Sequence, residues 1–110
     1  MEIHDALNDD LVNEPRRLLG EYQFHLGTLT PLITIKLYQM IGREGVYFEQ
    51  SHFIHTPMQG GPYMTSRPWN DSEEAALRQA VTGLTMHYTE AVQNGHAPSD
   101  SWLVPNEDFS

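Results

Sequence analysis

The chain contains no cysteine. Disulfides, thiolate zinc sites and cysteine nucleophiles are therefore excluded. Basic residues are scarce: six Lys and Arg stand against 15 Asp and Glu, a formal net charge of −9. A nucleic-acid binder carries a basic face, and anionic membrane surfaces recruit basic segments, so neither partner is expected. Long apolar runs are missing. No stretch approaches the roughly 18 residues of a membrane-spanning helix. The acidic opening MEIHDALNDD lacks the apolar centre of a signal peptide. A cytoplasmic protein is the expectation. Catalytic signatures are missing too: there is no H-E-x-x-H, no G-x-S-x-G and no G-x-x-x-x-G-K-[ST]. The single lysine, Lys36, falls in a presumed strand. The 110 residues show no internal repeat and suffice for one domain, 1–110, with a modest core.

What is present is organised around one helix, within WNDSEEAALRQAVTGLTMHYTEAVQNG (69–95). Asp71 and Glu74 have the spacing of a capping box, with Ser72 as a competing cap. Glu73 and Glu74 favour the positive end of the helix dipole. Asn94-Gly95 supplies the stop. Leu77, Ala80, Val81, Leu84, Tyr88, Ala91 and Val92 recur at steps of three and four, predicting an amphipathic helix over 72–94. Gly83 interrupts it, at roughly 1 kcal/mol against Ala; close approach of another backbone would account for it.

Before the helix, alternation and β-branching predict strands at 21–26, 32–41 and 46–55, the last two joined as a hairpin by Gly42-Arg43-Glu44-Gly45. A helix over 30–42, started by Thr30-Pro31, is the rival; Ile33-Thr34-Ile35 favours the strand. Residues 1–13 read as an arm or short helix spaced on Ile3, Leu7, Leu11 and Val12, broken by Pro15. Arg16 to Leu19 reads as a further helical turn begun by Pro15. Arg16-Arg17 reads as a solvated pair rather than an anion site. Residues 96–110 form a tail with one apolar knot, Trp102-Leu103-Val104, and a frayed acidic end. The expected fold is α+β: a small antiparallel sheet of about three strands covered by one long helix, with a short N-terminal helix. Open sheet edges predict a homodimer.

For function the strongest stretch is TPMQGGPYMTSRPWN, Thr56 to Asn70, rich in Pro and Gly yet carrying much apolar surface. Tyr63, Met64, Arg67 and Trp69, together with Trp102 in the tail, are of the residue types enriched at interaction hot spots. These predict a non-catalytic interaction protein that binds a protein partner through loop 57–70 and the tail. Two alternatives stand beside it. One is a small-molecule binder with an aromatic pocket of Tyr22, Phe24, Tyr38 and Tyr88. The other is a metal-dependent enzyme using His25, His52, His55 or His87. In a strand the H-x-x-H of His52 and His55 points to opposite faces, so these four are weak metal candidates and no cofactor is expected. Ser51 and His52 are strand neighbours that should face apart, which argues against a Ser/His nucleophile. The balance is against an enzyme.

Overall fold

The computed structural model describes residues 3–110. Six strands and one long helix follow a 3₁₀ turn at Ile3–Leu7: β1 (Arg16–His25), β2 (Leu32–Met40), β3 (Val46–Gln50), β4 (His52–Ile54), β5 (Trp69–Asn70), α1 (Glu73–Gln93) and β6 (Leu103–Pro105). The first sheet is antiparallel with order β1-β2-β3-β5, and β4 pairs with β6 in a second, two-stranded sheet. The expected α+β class, one long helix on a small antiparallel sheet, is what forms.

β2 lies inside the sheet, and its alternation holds from Leu32 to Leu37 before Tyr38, on the other face, is buried as well. Ile33, Ile35 and Leu37 are fully buried on one face. Register places Phe24 opposite Ile33 and Phe48 opposite Leu37, extending that face across three strands. The helix lays Ala76, Ala80, Leu84 and Ala91 against it, with Leu77, Val81 and Tyr88 beside them. Three of those four buried positions are alanines, so the helix backbone can sit close to the sheet. Each fully buried large side chain, such as Leu84 or Ile35, contributes about 1.5–3 kcal/mol. The buried stripe differs from the expected one at its margins: Ala76 is in and Val92, 43% exposed, is out. At 3.6 residues per turn these two lie about 160° apart around the helix, and the sheet covers only the Ala76 side.

The helix ends also refine the reading. Ser72, not Asp71, is the N-cap, its Oγ accepting the Ala75 N–H at 3.1 Å. Asp71 instead donates its N–H to Asn70 Oδ1. At the far end His96 N–H reaches Ala91 O and Gly95 N–H reaches Val92 O, both at 3.0 Å, a Schellman closure.

Three segments depart from expectation. Arg16 to Gly20 is strand rather than helical turn, since pairing with Leu37 to Met40 satisfies its backbone; a bulge falls between Leu18 and Gly20. The single expected strand 46–55 breaks at Ser51. There Ser51 Oγ accepts the Thr34 N–H (2.8 Å) while Ser51 N–H donates to Thr34 O (2.9 Å). Asn106 N–H then reaches Ser51 O at 2.8 Å, so one residue joins both sheets. Finally, the tail is not loose. Trp102 and Leu103 belong to the core, and the Asp100 carboxylate accepts the Thr30 N–H (2.8 Å) and the Thr30 hydroxyl. Those two bonds hold the Asp100 carboxyl below its ordinary value, the hydroxyl contributing most.

Nothing among the described residues before Leu19 packs in the core. The molecule is accordingly long, 58 × 24 × 23 Å, with a radius of gyration of 16.3 Å, against about 13 Å for a compact chain of this size. No helix among the described residues is long and apolar enough to cross a membrane.

Candidate functional site

The Pro/Gly loop after β4 is fixed by two glutamines. Gln59 donates to Ile54 O (3.0 Å) and Gly61 O (3.3 Å) and accepts the Thr56 N–H (2.9 Å). Gln79, on α1, donates to Arg67 O (2.8 Å) and accepts from Asn70 Nδ2 (3.1 Å). These bonds give a loop with few apolar anchors a defined path. Sequence reasoning passed over both residues; the only cue was an amide side chain, donor and acceptor at once, inside a stretch with no ladder of its own.

Between these pins the loop presents its aromatic residues. Tyr63 donates its N–H to Ile54 O (2.9 Å) and lays its ring on α1, 4.9 Å centroid to centroid from His87. A Cβ on Gly83 would come within 3.0 Å of that ring. Gly83 is thus explained by the approach of a side chain rather than of another backbone. Trp69, in β5, stands 6.3 Å from Tyr47, and the Arg67 guanidinium lies 4.6 Å over its indole. Met64 on the loop and Met86 on the helix are 62% and 64% exposed.

Loop and helix enclose an open trough. Its larger part, about 530 Å³, is lined by Tyr63, Ser72, Ala75, Arg78, Gly83 and Met86 among others. A second hollow of about 390 Å³ is lined by Thr65, Arg67, Trp69 and Asp71. Asn70 and Gln79, hydrogen-bonded to each other, line both, so the two hollows are neighbours. From Glu74 to Met86 the helix rises about 18 Å, the length of about five residues of extended chain. The Glu74–Arg78 pair at its rim is 2.5 Å long but mostly exposed, and such pairs contribute little.

The other candidates lie elsewhere. Trp102 is 4% exposed, edge-on to Tyr88 at 5.7 Å between centroids, on the core side of the second sheet. It has no free surface to offer a partner. Tyr22, Phe24, Tyr38 and Tyr88 are not gathered into one pocket. Tyr22 and Phe24 share the helix-facing side with Ile35 and Ile33, while Tyr38 lies on the other face under Arg16. The Arg16 guanidinium is 4.0 Å from the Tyr38 ring and 2.6 Å from Glu49 Oε1, and that hydrogen bond raises its pKa further.

The histidines are dispersed: His25 on β1, His52 on β4, His55 at the loop start with Nε2 3.3 Å from Gln59 O, His87 under Tyr63. Among the described residues no three His, Asp or Glu converge as metal ligands do. Ser51 and His52, expected to face apart, meet at 2.8 Å between Oγ and Nδ1 because the strand bends there. The hydroxyl is already held by the Thr34 N–H, and among the described residues no carboxylate pairs with His52. Burial lowers the His52 pKa.

Comparison with known protein families, with curated proteins and with solved structures finds no match. Fold and site together describe a small α+β domain with an aromatic trough between one loop and its helix.

Proposed function

We propose that this protein is a non-catalytic interaction module that holds an extended segment of a partner protein in the trough between loop 57–70 and α1. The observation that carries this reading is the pair of neighbouring open hollows, about 530 and 390 Å³, that flank Asn70 and Gln79 between loop and helix. Together they offer an extended segment two open seats, one beside Tyr63 and Met86 and one beside Trp69. Exposed aromatic and methionine surface on a hydrogen-bonded frame is the composition of recognition surfaces. The tail is left out of this reading, because Trp102 and Leu103 are spent on the core. Backbone pinned by Gln59 and Gln79 reduces the ordering a partner must impose on binding.

The test is selection of peptides from a random display library on the folded protein, followed by amide shift mapping of the best binder. Shifts should concentrate at Tyr63, Gln79, Gly83 and Met86, and Thr82→Arg, which places a long cation in the trough, should weaken binding at least tenfold. Peptides whose shifts map elsewhere, or no enrichment at all, would sink the reading.

A further inference from the structure

The trough discriminates among the shapes that an extended segment can take. On its loop wall the main chain is already spent. Arg67 N–H reaches Thr65 Oγ1 (3.1 Å), Pro68 has no N–H, and Trp69 N–H reaches Arg67 O (2.8 Å). Asn70 lies opposite Val46 in the β3 ladder, and Asp71 N–H reaches Asn70 Oδ1 (2.8 Å). Arg67 O accepts a second bond from Gln79 Nε2 (2.8 Å), and Pro68 O accepts the Phe48 N–H (2.9 Å). Opposite, α1 keeps its main-chain groups beyond the first turn within the helix. A strand added along β5 would find no row of donors to pair with. A helical segment fits no better. It needs an apolar stripe to lie against, and Ser72, Glu74, Arg78, Gln79 and Thr82 make the larger hollow mostly polar.

What remains is a pair of side-chain donors beside an aromatic ring. Asn70 Nδ2 uses one N–H on Gln79 Oε1, and Gln79 Nε2 uses one on Arg67 O. Each amide keeps a second N–H. Tyr63, 41% exposed, is backed by Gly83 and His87. Charge in the lining is balanced, Arg67 and Arg78 standing with Asp71 and Glu74, although the chain as a whole carries −9. Neither a basic nor an acidic segment is matched by such a lining; an uncharged one is.

We infer, on the reading that the trough is the binding surface, that its occupant is an uncharged, proline-rich segment in the polyproline II conformation. Such a segment makes no internal hydrogen bonds and leaves its carbonyls to outside partners. Its prolines have no N–H to satisfy. It therefore brings acceptors to Asn70 and Gln79 and asks the loop wall for no ladder. Proline rings pack on aromatic surface of the kind Tyr63 presents. The rise of about 18 Å along α1 matches about six residues in this conformation. The shape is largely preset, so little order is imposed on binding.

The test is titration of the full chain with two uncharged peptides of about ten residues, an oligoproline and a strand-forming Thr/Gln sequence, each to about 1 mM, followed by backbone and side-chain amide shifts. The oligoproline should shift the Asn70 and Gln79 side-chain amides and bind at least tenfold more tightly than the Thr/Gln peptide. Thr82→Arg should weaken it at least tenfold. Absent or off-trough oligoproline shifts, or equal binding of the two peptides, would overturn the inference. Library-selected peptides that map to the trough but lack proline would overturn it too, while leaving the interaction reading standing. If no peptide of any kind shifts trough residues, both fall together.

Discussion

Two glycines make different demands on the chain. Gly27 has φ +54°, and a Cβ there would fall 2.3 Å from the Tyr88 hydroxyl. Both left-handed strain and displacement of Tyr88 from Trp102 follow from adding one carbon, so Gly27→Ala should lose about 2–4 kcal/mol in urea unfolding. Gly83 has helical geometry, and the ring it meets belongs to Tyr63, which is 41% exposed and can shift. Gly83→Ala should then raise stability by up to about 1 kcal/mol through helix propensity; a loss instead would show that the ring is held rigidly. His52 and Asp100 have depressed folded pKa values, the first by burial and the second by the hydrogen bonds from Thr30. Each therefore contributes stability that is complete above its unfolded value and is lost as pH falls through the folded one. The His52 share should fade below about pH 6.5 and the Asp100 share below about pH 3.9. Urea midpoints measured against pH should show the first decline vanish in His52→Gln. At this scale the sequence exposed the aromatic loop residues and the anomaly of Gly83. It hid Gln59, Gln79 and the Asp100–Thr30 clasp, because side-chain bonds to backbone or to other side chains, whether local as at Gln59 or distant as at Asp100, leave no periodic trace.

Among the elements, α1 and β2 were legible because periodicity is a property of consecutive residues. The break at Ser51 was not: Val46 to His55 alternates well enough for one strand, and only the return of Asn106 and β6 shows why it divides. The tail was misjudged for the same reason. Three residues, Leu103–Pro105, have no period, and their strand character comes wholly from β4. Removing residues 101–110 should accordingly uncover Ile54 and delete Trp102 and Leu103, at about 4 kcal/mol or more. The near-ultraviolet dichroism of the truncated chain should collapse; a native spectrum would show that the small sheet is an accessory. Likewise Arg16 to Leu19 follows the pairing of β2 over its local helical signal.

Over the whole molecule, shape divides into an arm and a body. The anionic arm adds length and no core, while the helix, both sheets and the trough share a single apolar interior. The open edges of a small sheet pointed to self-association; the bulge and charges of β1 discourage simple edge pairing there. Sedimentation at varied salt tests for it at the other edges, since pairing by backbone bonds should be little sensitive to ionic strength.

The joint at Ser51 also governs the order in which this chain can acquire its structure. β1 to β3 close over short connections, and their ladders can form as soon as those residues exist. β4 must wait for a strand roughly 50 positions downstream, a closure that is slow and entropically unfavourable. Until it arrives, Ile54 and the Tyr88 end of α1, where Trp102 packs, stay wet. Folding should therefore be biphasic in stopped-flow refolding, an early hairpin phase followed by a slower one reported by Trp102, and a nascent chain lacking β6 should be sensitive to proteases that leave the finished protein intact.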